Sequence, residues 1–319
     1  MKTRYLQALP LYRLPILASM IALASGLPHP SEASTVVLGE ADATNIQAYV
    51  GVTGSVAGVA IAPDAVADEL NRTGVSSPIP SIHTLNLLNE SASSTLLNLE
   101  IAAIAADSTS NSNVDGLPGI RITNGRAELE SATVSASLAA LPNLLFISLW
   151  TAPEELMFSN SNVTGHGVGG PDGLDPTAAS NLLATSSNLA ISVLGLNLGV
   201  GLDTLVKGVE STFNVLLDTR VSGTGTFIEG TVRLLADHEF TIPATGTDEF
   251  FAFAEAIGLQ INLDLDVQQW VGGLLSTDLN LISNVIINDT SAMMLTPEPG
   301  KAALLVLGAL GLVLRRRRR

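Results

Sequence analysis

The chain has 319 residues, of which 46% are hydrophobic and only 4% aromatic, and it has no cysteine. This composition supports a folded core, excludes a disulfide framework and a thiolate metal site, and leaves few rings for stacking on a ligand. The formal net charge is −15, yet between Ser34 and Thr296 six basic residues stand against 28 acids, a net of −22, which argues against nucleic acid and anionic lipid headgroups as partners.

The first residues carry positive charge at Lys2, Arg4 and Arg13, followed by an uncharged apolar stretch from Ile16 to Gly26 and the helix breakers Pro28 and Pro30. The stretch is too short to span a bilayer comfortably. Ser31 and Ala33 place small residues at the two positions a signal peptidase pocket accommodates. Residues 1–33 are therefore expected to be a signal peptide, cut between Ala33 and Ser34, with Ala24 as the competing site.

From Asn45 to Leu295 short apolar runs alternate with polar residues and turn signals, which argues for strands. Ile46 to Ala60, Leu97 to Ile104 and Leu279 to Ile287 are strand candidates, and Ile257, Leu259, Ile261, Leu263, Leu265 and Val267 mark one buried face of another. Asn124-Gly125, between two alternating runs, predicts a hairpin turn because both residues tolerate positive φ. Alternation shifts from odd positions (Leu189, Ile191, Val193) to even ones (Leu196, Leu198, Val200) near Gly195, which predicts a β-bulge. Helical spacing of Leu205, Val206, Val209, Phe213, Leu216 and Leu217 after Asp203 predicts a helix over 204–218. Shorter helices are expected at Pro63 to Asn71 and, with Asp175-Pro176 as a start signal, at Pro176 to Leu183. Asp107 to Asn113 and Gly165 to Asp175 read as loops. The fold class expected for 34–296 is mainly β, a sandwich-like single domain with one or a few short helices; a β-solenoid and an α+β arrangement are the alternatives.

Few residues point to chemistry. Gly165-His166-Gly167-Val168-Gly169-Gly170 has the letters of a dinucleotide fingerprint, but Pro171-Asp172-Gly173 follows where a helix is required, so a loop is expected. His83, His166 and His238 are scattered and no Gly-x-Ser-x-Gly elbow accompanies them, so no catalytic residue is assigned. Asn111 to Gly116 resembles the start of an EF-hand loop, but Ile122 stands where the bidentate glutamate belongs. Asp172, Asp175, Asp264 and Asp266 can offer oxygen ligands to Ca²⁺, against the simpler reading of solvated acids; no other cofactor is implied. Asn71, Asn89, Asn162 and Asn288 head glycosylation sequons, read here as markers of surface loops.

The last residues run Thr296-Pro297-Glu298-Pro299-Gly300, then Lys301, then Ala302 to Leu314 without a charge, then Arg315 to Arg319. A 13-residue helix rises about 20 Å, short of the roughly 30 Å hydrocarbon core, and the arginines would hold its end in the cytoplasm. This tripartite tail over 297–319, with 302–314 as its transmembrane segment, resembles the PEP-CTERM sorting signal. The resemblance implies recognition of Pro297, Glu298 and Pro299 by an exosortase, a multi-spanning membrane cysteine protease, and an association with extracellular polysaccharide and biofilm. The expected protein is non-enzymatic, exported, held briefly at the inner membrane by its tail and released to the cell surface or matrix. Its expected partners are signal peptidase, an exosortase-like protease and exopolysaccharide. A secreted hydrolase and a Ca²⁺-dependent adhesive module are the alternatives.

Overall fold

Alternation of apolar and polar residues is realised as strand almost throughout the described residues, which are 38–77, 81–115, 120–166, 174–243 and 251–295 of a computed structural model. In chain order the strands are β1 (Leu38–Val56), β2 (Val59–Leu70), β3 (Thr73–Ser77), β4 (Ser81–Leu85), β5 (Asn89–Ser93), β6 (Leu97–Ile104), β7 (Asp107–Ser112), β8 (Ile120–Leu129) and β9 (Ser131–Leu138). They continue as β10 (Leu141–Trp150), β11 (Met157–His166), β12 (Asp175–Ser180), β13 (Asn188–Val193), β14 (Leu196–Asn197), β15 (Ser211–Asp218), β16 (Gly225–Ile242), β17 (Phe251–Val271) and β18 (Leu274–Leu295). All pair antiparallel. A long sheet has the order β15-β16-β17-β18-β1-β2, with β3 extending β2 along β1. Facing it are an upper sheet, β14-β13-β10-β9-β6-β5, and a lower sheet, β12-β11-β8-β7-β4. The mainly β, sandwich-like expectation is met.

The upper and lower sheets are two halves of one layer. The β6–β9 pairs (Ile104↔Ser131) and the β7–β8 pairs (Asp107↔Glu128) share one register, and Glu130 N donates to Ile104 O across the break at 2.9 Å. The long sheet has a matching break at the same level. Its register runs unchanged from Thr44↔Asp289 to Ile46↔Ile287, yet Asn45 and Asn288 between them form no ladder pair, and Gly258 likewise lacks ladder partners in Asp237 and Asn288. Asp237, Asn288 and Asn71 on this line have φ of 48°, 53° and 54°. On β18 the left-handed Asn288 interrupts side-chain alternation, so the inward face shifts parity: Val285 and Ile287 above, Ala292 and Met294 below. Asn and Asp accept this conformation more readily than other side chains do.

The side chains of this seam supply the hydrogen bonds that the ladder omits. Asn45 Nδ2 donates to Glu128 O (2.9 Å), Asp107 O (3.1 Å) and Asn288 Oδ1 (3.2 Å), as a shared, multi-centre contact. Asn71 Nδ2 donates to Asn45 Oδ1 and to Leu87 O, both at 2.9 Å, and its Oδ1 accepts from Leu87 N. Asn288 Nδ2 donates to Met157 O at 3.0 Å. Asp237 accepts from Ser180 Oγ, Leu182 N and Leu183 N, which binds the long sheet to the 3-10 turn at Leu182–Ala184.

Above the seam the core is aliphatic, built from residues such as Leu99, Ile101, Leu145, Ile147, Leu259, Ile261 and Leu281. Below it the layers meet through small residues. Val114, Val163, Leu174, Ala252, Ala254, Ala292 and Met294 form a compact cluster, beside which Ser161 and Thr290 hydroxyls hydrogen-bond at 2.9 Å. A Cβ on Gly125 would lie 2.4 Å from Asp42 O and 2.9 Å from Ser291 O, so glycine here permits close backbone approach.

That contact corrects the sequence reading, since Asn124 and Gly125 sit mid-strand in β8 and form no hairpin turn. Residues 204–218 form no helix either: Gly208 has φ of 69° and Ser211–Asp218 is the edge strand β15, where alternation and β-branching prevail over helical spacing. Pro63 to Asn71 lies mostly in β2, and Pro176 to Ser180 in β12, leaving only the 3-10 turn of the helix expected there. Asp107–Ser112 is strand β7, and the start of the other expected loop, Gly165 and His166, closes β11. The parity change near Gly195 comes from a tight turn, with Leu194 and Gly195 at φ of 50° and 77°, joining β13 to β14. Asn71 and Asn288 are buried seam residues and do not mark surface loops.

Replacing Asn45 with Leu orphans two buried carbonyls and the Asn71 amide, and is expected to lower unfolding free energy by about 2–4 kcal/mol. Asn280→Leu on the exposed face should stay within about 0.5 kcal/mol. Urea denaturation of the two variants measures the difference.

Candidate functional site

The Ca²⁺ candidates among the described residues, Asp175, Asp264 and Asp266, do not converge. Asp175 opens β12 below the seam, while Asp264 and Asp266 lie above it on the outer face of β17, where both approach Asn280 Nδ2 at 3.4 and 3.2 Å. Asp172 lies outside the described residues, as do Ala33, Ser34, Pro297, Glu298, Pro299 and the segments 302–314 and 315–319. His83 is on β4 and His238 on β16, in different sheets. Among the described residues no group of three or more His, Asp or Glu is placed to hold a metal, and no helix is long and apolar enough to cross a membrane.

The surface that sequence reading missed is the outer face of the upper sheet. Leu145, Ile147 and Leu149 of β10 point into the core, so Phe146, Ser148 and Trp150 point out, and both rings remain 40% exposed. Phe146 stands between Ser135 and Ser192, and Trp150 between Ser131 and Asn188, so each ring is flanked by short polar side chains that leave it proud of the sheet. Four residues of strand separate the rings by about 13 Å. Beside Phe146 lies a shallow depression of about 220 Å³ lined by Asn98, Glu100, Ser135, Ser137, Pro142 and Asn143. Partly exposed rings for C–H surfaces, together with hydroxyl, amide and carboxylate groups for hydroxyls, are groups that can contact a polyhydroxylated chain. The signal was present in Phe146-x-x-x-Trp150, but the even positions of β10 become an outward face only once the odd ones are seen to be buried.

Charged groups elsewhere are tied to architecture. Asp64 accepts from Ser94 Oγ (2.7 Å) and Leu96 N (2.8 Å), joining the edge of the long sheet to that of the upper one, and the Ser94 bond holds its carboxyl below the ordinary range. Arg220 donates through Nε and Nη2 to Asp218, holding that carboxyl at about 2, and its guanidinium lies 4.5 Å from the Phe227 ring. On the lower half of the long sheet, burial raises the pKa of Glu40, opposed by the Ser76 hydroxyl and reinforced by nearby Asp42.

No family model, no curated protein and no solved structure matches this chain. What the fold and this surface define is a class: an acidic antiparallel sandwich with a ring-bearing outer face on one layer.

Because the folded state favours protonated Glu40, folding gains below the ordinary glutamate pKa and loses that gain as pH rises through the raised value. Glu40→Gln should therefore raise the melting temperature at pH 7 and leave it unchanged at pH 3.5, as calorimetry at the two pH values would report.

Proposed function

We propose that this chain is an exported, non-enzymatic component of the cell surface or extracellular matrix, sorted through its tail by an exosortase-like protease and bound to exopolysaccharide through the outer face of its upper sheet. One observation carries the reading. Leu38 and Leu295 are partners on a single rung, so the chain enters and leaves the described fold side by side at its lower end. A leader and an anchor attached there both leave the rest of the molecule free. Held by 302–314, the 22 residues of β18 would reach roughly 70 Å from the attachment point, and the Phe146–Trp150 face would stand sideways to that axis. The excess of acids favours a partner that is neutral or that bridges through cations.

Two measurements test this. Changing Pro297, Glu298 and Pro299 to alanine should leave protein uncleaved at the membrane, because the apolar segment and arginines still orient it. Mass spectrometry showing Arg319 on wild-type surface protein, in cells that possess an exosortase, would sink the sorting part. For the binding part, Phe146→Ala with Trp150→Ala should reduce co-sedimentation with the producer's own polysaccharide about tenfold or more, as losing two stacking rings implies, without moving the melting temperature by more than a few degrees.

A further inference from the structure

The upper pole of the molecule, opposite Leu38 and Leu295, gathers exposed aliphatic side chains on turns without charge. Three neighbouring turns of the long sheet meet there: Ala57-Gly58 between β1 and β2, Ser222-Gly223 between β15 and β16, and Gly272-Gly273 between β17 and β18. Ala57 N donates to Ser276 O (2.6 Å) and Gly273 N to Gly223 O (2.8 Å), which fixes the three tips beside one another. They present Val59, Val221, Val271, Leu274 and Leu275, exposed by 69%, 74%, 62%, 75% and 42%. Residues 55–63, 221–228 and 271–277 contain no charged side chain, although the chain as a whole is strongly acidic. Arg220, the nearest cation, is paired to Asp218 and set back against Phe227 and Trp270.

We propose that these three tips form a lipid-contacting pole that enters the interfacial region of an uncharged or zwitterionic bilayer. The shape selects the partner. Turn tips present aliphatic side chains that are mostly in water, and acyl chains conform to such protruding groups without a preformed pocket. The charge pattern agrees, since the three turns carry no charge, the nearest acid, Asp218, is neutralised by Arg220, and the acidic remainder opposes anionic headgroups. The inference is independent of the sorting tail, because the pole lies at the other end of β18 from Leu295.

The native chain lacks cysteine, so Val221→Cys and, at mid-height, Ile104→Cys each give a full-length chain with one attachment point for a polarity-sensitive dye. Phosphatidylcholine vesicles with brominated acyl chains are the probe. Emission from position 221 should fall about twofold, as burial at the headgroup–acyl boundary brings bromines within reach, while position 104 is unaffected. Leu274→Ser with Leu275→Ser in the Val221→Cys chain should abolish the quenching with the circular dichroism unchanged. Adding phosphatidylglycerol at low salt should weaken it. Binding of the chain to vesicles with position 221 still in water would assign membrane contact to another segment and overturn the proposal. A spectral shift at 221 that follows protein concentration without lipid would assign the pole to contacts between copies and equally overturn it.

Discussion

Every strand of the long sheet between β16 and β3 passes through a row of residues that make no ladder pairs with one another, and side-chain amides and a carboxylate complete the hydrogen bonding there. Backbone polar groups in a dry interior must be paired, or each costs about 1–3 kcal/mol. Asn45, Asn71 and Asn288 meet that requirement by reaching across to Asp107, Glu128, Leu87 and Met157, which border the break in the facing layer. The two breaks therefore satisfy each other. A seam in only one sheet would leave the carbonyls of the other without donors, so the position of one fixes the position of its partner.

The seam also lets one set of strands serve two kinds of interior. Above it the layers are held apart by Leu, Ile and Val; below it Gly125 and the alanines let them approach, and serine and threonine hydroxyls bond across. Layers in a regular sandwich lie about 10 Å apart. A change in separation along a strand requires a bend, and the left-handed residues Asn71, Asn288 and Asp237 provide one without altering register. The same construction closes the sides, with Asp64 joining one pair of edges and Asp237 and Glu239 binding the region of β12 at the other. Edges bound in this way are poor templates for pairing with another chain.

This arrangement explains which parts of the fold were legible in the sequence. The alternation from Ile257 to Val267 is a strand buried on one face, with all but its first two residues above the seam, and Leu97 to Ile104 is β6 to the residue, wholly above it, where parity holds. Asn124-Gly125 misled because a glycine needed for close layer contact has the same letters as a turn. Asn71 and Asn288 head sequons and look like surface positions, yet what they share is a buried left-handed backbone that only their contacts with Asn45 reveal. The outward rings of β10 could not be read as a pair until the inward residues were known, and the acids at Asp175, Asp264 and Asp266 were separated by the seam, which no spacing rule detects.

Seam, faces and poles also divide the work that surface positions can do. Substitutions at mid-height reach both layers through the Asn45 network, so that level is constrained by stability. The outer faces carry no such duty, because a strand residue pointing away from the core changes neither register nor inward packing. Phe146 and Trp150 keep large rings in water there, at a cost that packing does not demand. The tips at the upper pole are freer still: a turn needs its glycines but not exposed valine and leucine beside them. Aliphatic side chains left in water by all three adjacent turns therefore point to contact at that pole as their reason, and the ladder rung at Leu38 and Leu295 places that contact at the far end from any anchor.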